Sequence, residues 1–207
     1  MLLDRRVNGK NKIAREKSYK SAINFVTAGV NVSGGFATGS MNGEIRLYKE
    51  VGQIAKTLLP GLGEPIIALD ASLDSKWLLA TCQTYILVVK TSFDEDKLGY
   101  THRMGQDKPT PIKLTLKPQD RQKYKLRVLN FRPARFNNGS QNEEVAIVSS
   151  SGDCLITWNF KLVQRGHFSA YKVTQIGEQI VDNQFMYDNP SAVLVTTMSQ
   201  LNIKKKK

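Results

Sequence analysis

One unit recurs along the sequence, a pair of short apolar strands joined by a tight turn. Its four copies occupy residues 35–48, 77–89, 144–158 and 192–203. The first copy turns at Asn42 and Gly43, the strongest short hairpin signal, because both turn positions must tolerate a positive φ. A single hairpin cannot bury its apolar faces alone, so each copy requires a neighbour of the same kind. The recurrence therefore predicts an all-β protein built from stacked copies of one small sheet.

The spacing of the hairpins indicates a β-propeller. The first and second copies, and the third and fourth, lie about 40 to 50 residues apart, which is the repeat length of four-stranded propeller blades. Residues 92–122 separate the second and third copies further and form an insertion punctuated by prolines. Candidate inner strands at residues 66–71 and 126–131, and candidate outer strands at residues 53–58 and 171–176, flank the hairpins. The chain is therefore expected to form about four blades.

This number of blades is low for a closed ring, since propellers contain about four to eight blades and rings of four are uncommon. We therefore expect an incomplete part of a larger propeller, with an apolar face left open at each end. Such faces would make an isolated chain marginally stable, self-associating or completed by another chain. The predicted organisation is a basic N-terminal segment at residues 1–22, blades at residues 23–203 and a lysine tail at residues 204–207.

The chain is strongly basic, with 30 Lys and Arg residues against 18 Asp and Glu residues and a net charge of +12. This balance favours an acidic partner, whether a nucleic acid, an anionic membrane or an acidic protein surface.

Few residues suit catalysis or metal binding. The two cysteines, Cys82 and Cys154, exclude a disulfide framework and a four-cysteine zinc site, and both lie in apolar runs typical of buried thiols. The two histidines, His102 and His167, lie in polar, loop-like segments. No set of nucleophile, base and acid can be assembled, and no apolar run approaches the roughly 18 residues of a membrane span. We therefore predict a non-enzymatic protein with no catalytic residue, cofactor, metal or transmembrane segment.

Two segments are candidates for partner binding. The first is the loop between the first two blades, because such a crossover lies on the top face of a propeller ring; it comprises Pro60, Gly61, Leu62, Gly63, Glu64 and Pro65. The second is a basic patch suited to an acidic partner or a nucleic-acid backbone, and it comprises Lys113, Lys117, Arg132 and Arg135. Each has a structural alternative: the loop glycines serve turn geometry alone, and the cations protect strand edges from pairing.

Several segments match the pattern of a known family. They are residues 37–48, 55–67, 79–87, 113–118, 131–137 and 156–160, and they include the run Lys-Thr-Leu-Leu-Pro-Gly at residues 56–61. In these segments the chain resembles the vacuolar import and degradation protein 27 family, whose plant relatives are known as CYPRO-four-like or defective-embryo-and-meristems proteins. The resemblance covers most of residues 1–200 in collinear order. It departs at the closing lysine run, where further strand is expected.

This resemblance implies a WD-type propeller domain that forms the C-terminal part of a larger protein of the cytoplasm and the nucleus. It also implies a protein-interaction scaffold, acting in catabolite-linked protein degradation or in vesicle and vacuolar trafficking. The expected partners are proteins, together with the remaining blades of the same parent protein. The alternative, which rests on charge, is a module that binds nucleic acid or anionic lipid.

Overall fold

Short strands make up nearly all of the regular structure. The computed structural model describes residues 2–3, 13–15, 24–94, 97–106, 108–137, 145–186, 189 and 192–205. Within these ranges the strands are β1 (Leu2–Leu3), β2 (Ile13–Arg15), β3 (Phe25–Val30), β4 (Phe36–Ser40), β5 (Ile45–Tyr48), β6 (Thr57–Leu59), β7 (Ala68–Ala71), β8 (Trp77–Thr81), β9 (Ile86–Lys90), β10 (Ile112–Leu114), β11 (Arg135–Phe136), β12 (Ala146–Ser151), β13 (Cys154–Asn159), β14 (Tyr171–Gln175), β15 (Ile180–Phe185), β16 (Ala192–Thr197) and β17 (Leu201–Lys205). The helices are α1 (Pro118–Lys123) and α2 (Phe160–Gln164).

The strands assemble into four antiparallel sheets that follow one another along the chain. Blade 1 is β3-β4-β5-β6, blade 2 is β7-β8-β9-β10, blade 3 is β11-β12-β13-β14 and blade 4 is β15-β16-β17; β1 and β2 pair separately. Consecutive blades contact each other through their first strands β3, β7, β11 and β15, which are therefore the inner strands. Among the described strands, no extensive packing joins blade 4 to blade 1. The structure confirms the predicted all-β architecture of about four blades in an open, incomplete propeller.

Alternation along the central strands explains how the blades stack. In blade 2, Leu78 and Ala80 face the core shared with blade 1, whereas Leu79 faces the core shared with blade 3. In blade 3, Ile147 and Trp158 belong to the core with blade 2. Residues Val148, Leu155, Val193 and Val195 form the core between blades 3 and 4. Because successive side chains point to opposite faces, a blade packed on both sides needs apolar residues at consecutive positions.

The predicted inner strand at residues 126–131 is wrong. The inner strand of blade 3 is β11, in which Arg135 and Phe136 pair with Val148 and Ile147. Residues 126–131 instead cross the end of the blade, and they follow Lys125, whose φ of 56° turns the chain. The apolar pattern predicts a strand because buried and exposed apolar residues cannot be distinguished in the sequence. Leu126 and Leu129 are buried, but Val128 is 71% exposed.

Three predicted boundaries also differ from the structure, and the first is the outer strand of blade 1, which the sequence predicts at residues 53–58 and which is β6 at Thr57–Leu59. The insertion at residues 92–122 contains the outer strand of blade 2, since β10 pairs with β9 across Lys113 and Leu87, and it also contains α1. The lysine tail begins inside β17, where Lys204 and Lys205 pair with Val193 and Ala192; residues 206–207 lie outside the described residues. The basic N-terminal segment at residues 1–22 also lies outside them, except for β1 and β2.

The outward face of blade 4 presents apolar side chains to solvent. Leu194 pairs with Ile203 on the face opposite Val193 and Val195, and Leu201 and Ile203 are 73% and 56% exposed. We expect the chain to self-associate through this face as protein concentration rises. Replacing both residues in a Leu201→Ser, Ile203→Ser variant should shift sedimentation velocity profiles toward the monomer.

The matched control for this prediction is Val32→Ser with Ile54→Ser, which removes from loops of blade 1 two apolar side chains that are at least as exposed as Ile203. The control should self-associate like the parent chain. A parent chain that remains monomeric at every concentration would contradict the prediction.

Candidate docking surface

One end of the blades gathers the connections that could meet a partner. In an antiparallel blade, the turn between the second and third strands and the crossover to the next blade lie at the same end. We call this end the top face, and it comprises the turns at residues 41–44, 82–85, 152–153 and 198–200 and the crossovers at residues 60–67, 115–134 and 176–179. The remaining loops lie on the opposite face.

The crossover loop at residues 60–65 is fastened to blade 2 by Glu64. The Glu64 carboxylate accepts a 3.0 Å hydrogen bond from the Thr84 backbone N–H and a second hydrogen bond from the Thr84 hydroxyl. The Glu64 backbone N–H donates to the Tyr85 phenol oxygen at 3.2 Å, and burial raises the pKa of Tyr85 to about 12. These bonds fix the end of the loop, while Leu62 in its middle is 51% exposed.

The other end of the loop packs against the first hairpin turn. A Cβ atom on Gly61 would lie 1.9 Å from the Gly43 carbonyl oxygen, so only glycine fits at this contact. Gly43 has a φ of 83°, and a Cβ atom there would lie 2.9 Å from the Glu64 carbonyl oxygen. The structure therefore shows that Gly43 and Gly61 are required by close backbone packing, and it leaves Leu62 beside them exposed.

We expect Gly61→Ala to lower the free energy of unfolding by about 1–3 kcal/mol, because the backbone must move to admit the methyl group. Leu62→Ala, one residue away and largely exposed, should change stability by less than about 0.5 kcal/mol. Urea denaturation of the two variants checks both values. Equal stabilities of the two variants would contradict the prediction, because the backbone at Gly43 would then move to admit the methyl group without loss of stability.

The crossover from blade 2 to blade 3 is likewise held by hydrogen bonds. The Tyr171 hydroxyl donates to the Asp120 carboxylate at 2.5 Å and accepts from the Lys117 backbone N–H at 2.8 Å. Farther along, the Asn130 N–H donates to the Ser151 hydroxyl at 2.9 Å. The Phe131 N–H then donates to the Gln83 carbonyl at 2.9 Å. The two crossovers therefore meet at one turn, since Glu64 binds Thr84 and Phe131 binds Gln83.

The four residues of the predicted basic patch are divided between the two ends of this crossover. Lys113 lies on β10, the outer strand of blade 2, with its ammonium 4.4 Å from the centre of the Tyr85 ring, and Lys117 follows shortly after. Arg132 and Arg135 lie at the inner end, where Arg135 begins β11. The structure therefore does not bring the four into one cluster. Sequence reasoning missed the exposed residues between them, Lys123, Lys125, Arg127 and Val128, although the density of basic residues from 113 to 135 was the available signal.

An acidic residue of the inner strands also escaped sequence reasoning. Asp70 on β7 accepts a 2.7 Å hydrogen bond from the Phe136 backbone N–H and lies 4.0 Å from the Arg135 guanidinium. Burial raises the pKa of Asp70 from 3.8 to about 6, and the Phe136 hydrogen bond and Arg135 only partly oppose this rise. The contact joins blade 2 to blade 3 and removes Arg135 from the set of free surface cations.

The described residues offer little reactive chemistry. Both cysteines are free and buried, as predicted, and burial raises the pKa of Cys82 to about 11 and that of Cys154 to about 12. Neither thiol is therefore an ionised nucleophile near neutral pH. His102 and His167 are exposed. In the described ranges, no group of three or more His, Cys, Asp and Glu side chains could hold a metal ion, and none of the helices is long and apolar enough to cross a membrane.

Solved structures similar to this chain are WD-type propellers. The chain is similar to the β-propeller domain of Cps50 (Swd1) from Myceliophteria thermophila, with a TM-score of 0.58 and 11% sequence identity over 88% of this chain and 51% of that one. It is also similar to a chain in the crystal structure of the mitotic checkpoint complex, with a TM-score of 0.60 and 11% identity over 87% of this chain and 49% of that one. These similarities establish the fold, and the chain corresponds to about half of each of these matched chains.

Sequence comparison identifies the family. The chain is 36% identical over 202 residues to vacuolar import and degradation protein 27 of Schizosaccharomyces pombe, which covers 93% of this chain and 25% of that protein. It is 32% identical over 218 residues to the protein of the same name from Saccharomyces cerevisiae, covering 99% of this chain and 28% of that protein. The chain thus spans about a quarter of the length of these relatives. The family described as the VID27 C-terminal WD40-like domain matches residues 1–207, and the chain belongs to this family.

Proposed function

We propose that this domain is a non-catalytic docking module whose top face binds a protein client in protein degradation or in vacuolar and vesicle trafficking. The names of its relatives, which refer to vacuolar import and degradation, support this cellular role. We further propose that the domain acts in the cytoplasm and the nucleus, as the family resemblance implies, and that further blades of the parent protein complete its ring, since the chain corresponds to about half of each matched propeller chain.

The loop at residues 60–65 is the observation on which the docking role rests. Its two ends are fixed by the Gly43 contact and by the bonds of Glu64 to Thr84, so little conformational entropy is lost when a partner binds. Its middle residue, Leu62, presents an exposed apolar side chain. An exposed apolar side chain on a support that is already ordered can bury apolar area against a partner with little loss of conformational entropy.

Site-specific photo-crosslinking tests this function. A benzophenone amino acid in place of Leu62 should crosslink the chain to a discrete polypeptide in cells, and the same group in place of Ile54 should not. Ile54 is a matched control because it is an exposed aliphatic residue in a loop on the opposite face. Glu64→Ala should weaken the crosslink at position 62, since it releases the loop from Thr84.

The crosslinked polypeptide, once identified by mass spectrometry, should then bind the purified chain. Leu62→Asp should abolish this binding, and Ile54→Asp should leave it intact. Crosslinks of equal yield at both positions, or binding that survives Leu62→Asp, would refute the docking role of the top face.

A further inference from the structure

The crossover from blade 2 to blade 3 concentrates positive charge, most of which is not paired with a carboxylate in the described part of the chain. Between residues 113 and 135 there are eight Lys and Arg side chains and one carboxylate, Asp120, which accepts the Tyr171 hydrogen bond. Arg135 is paired with Asp70. The other cations of this segment make no ion pair with a carboxylate of the described residues. An excess of this kind attracts an anionic partner.

These cations are presented on a rigid support and are accessible. Lys113, Lys117, Lys123, Lys125 and Arg127 are all exposed, and we call them the cationic crossing. Residues 117–131 are anchored at both ends, since the Lys117 N–H donates to the Tyr171 hydroxyl and the Phe131 N–H donates to the Gln83 carbonyl. The guanidinium of Arg121 donates to the Arg127 carbonyl at 3.0 Å, which fixes the turn that precedes Val128. A charged surface that is already ordered loses little entropy on binding.

The apolar residues of the same surface distinguish between classes of anion. Val128 follows Arg127 directly and is largely exposed, and Leu62 is exposed on the neighbouring crossover. Single-stranded nucleic acid is bound by basic grooves that also offer aromatic rings for base stacking. The aromatic residues of this crossing are unsuited to that role, because Tyr124 is half-buried with Lys123 5.2 Å from its ring centre and Phe131 is buried. Aliphatic side chains among cations instead complement a peptide that alternates carboxylates with apolar residues.

We propose that the cationic crossing binds an acidic peptide segment whose carboxylates contact the Lys and Arg side chains and whose apolar residues contact Val128. This inference rests on the proposed docking function and specifies the chemistry of the client. The bound peptide would lie across the top face of blades 2 and 3, next to the loop that presents Leu62.

Fluorescence anisotropy with a labelled peptide of alternating Glu or Asp and Leu or Val residues tests the proposal. The 207-residue chain should bind this peptide, and binding should weaken as salt is raised because exposed charges are screened. A peptide with Gln and Asn in place of Glu and Asp should not bind. The triple variant Lys123→Glu, Lys125→Glu, Arg127→Glu should weaken binding by at least about tenfold.

The matched control is Lys76→Glu, Arg103→Glu, Lys108→Glu, which makes the same change in net charge with exposed residues of blade 2 on the opposite face. It should change the affinity by less than about twofold, since its charges lie far from the peptide. An equal loss of affinity in both triple variants would overturn the proposal, because net charge alone would then explain binding. Circular dichroism of each variant separates loss of binding from loss of fold.

Two further probes separate the acidic peptide from other anions. A single-stranded oligonucleotide of equal charge and phosphatidylserine vesicles should both bind more weakly than the peptide. The Val128→Asn substitution should lower the affinity for the peptide and leave the affinities for the oligonucleotide and the vesicles unchanged. Tighter binding of the oligonucleotide or the vesicles, or no effect of Val128→Asn, would overturn the proposal. If the peptide fails to bind while Leu62 still crosslinks to a client, the docking function stands and the acidic chemistry is refuted. If the peptide binds while Leu62 yields no crosslink, the docking loop is refuted instead.

Discussion

Trp158→Ala is expected to lower the free energy of unfolding by about 3–5 kcal/mol, the largest loss from any single substitution proposed for this chain. Trp158 is fully buried in the core between blades 2 and 3. Its ring lies 6.1 Å from that of Phe131 and 5.9 Å from that of Tyr171, measured between ring centres. Removing it leaves a cavity that two blades must share, and chemical denaturation measures the loss.

Two controls test whether the loss comes from this cavity. Trp77→Ala removes the same side chain from a half-buried position beside Phe160 and should cost less. Trp158→Phe should retain most of the stability. The buried Trp158 indole N–H has no hydrogen-bond partner within the described part of the chain, and the phenyl ring has no N–H group to bury. A cost for Trp77→Ala equal to that of Trp158→Ala would contradict the proposed central role of this core.

The blade hairpins were predictable because their sequence pattern and their packing have the same cause. Leu78, Leu79 and Ala80 are consecutive apolar residues. Leu78 and Ala80 enter the core between blades 1 and 2, and Leu79 enters the core between blades 2 and 3. A strand packed on one face would alternate instead, so the continuous apolar run indicates a blade between two neighbours. The turn was also predictable, since Gly43 has the positive φ that favours glycine, but Asn42 does not share it as the two-residue hairpin pattern predicts.

The inner strands and the site were less predictable because long-range contacts define them. Residues 126–131 have the composition of a strand, but their backbone groups bind Ser151 and Gln83 across the top of the blades. The loop at residues 60–65 could be located from the order of the strands, whereas the bond from Thr84 to Glu64 depends on how two blades meet. Arg135 has the composition of a surface cation, and only the fold reveals Asp70 beside it.

Asp70→Asn is expected to gain stability relative to the parent chain as pH rises from about 4 to 7. In the folded chain the pKa of Asp70 is raised to about 6, chiefly by burial, from 3.8. At pH values between 3.8 and about 6, Asp70 therefore keeps its proton in the folded state and has released it in the unfolded state. The free energy of unfolding of the parent chain therefore falls as pH rises through this window, and Asn, which does not titrate, removes this fall.

The expected size of the change follows from the pKa. At about 1.4 kcal/mol for each pKa unit, a rise from 3.8 to about 6 corresponds to about 3 kcal/mol. Asn can still accept the hydrogen bond from the Phe136 N–H, so the contact between blades 2 and 3 is preserved. The stability difference between variant and parent should increase by up to about this amount across the window, as measured by urea denaturation at several pH values.

Glu178→Gln is the control of opposite sign. Hydrogen bonds from the Thr197 and Ser199 hydroxyls lower the pKa of Glu178. Its contribution to stability is therefore present above its ordinary pKa of 4.5 and is lost as pH falls below that value. Below about pH 4.5 the Gln variant should therefore lose stability relative to the parent as pH rises, whereas the Asn variant at position 70 should gain stability between about pH 4 and pH 6. If both variants shifted in the same direction, general charge repulsion in this basic chain would explain the pH dependence, and the buried carboxylate between blades 2 and 3 would not be its cause.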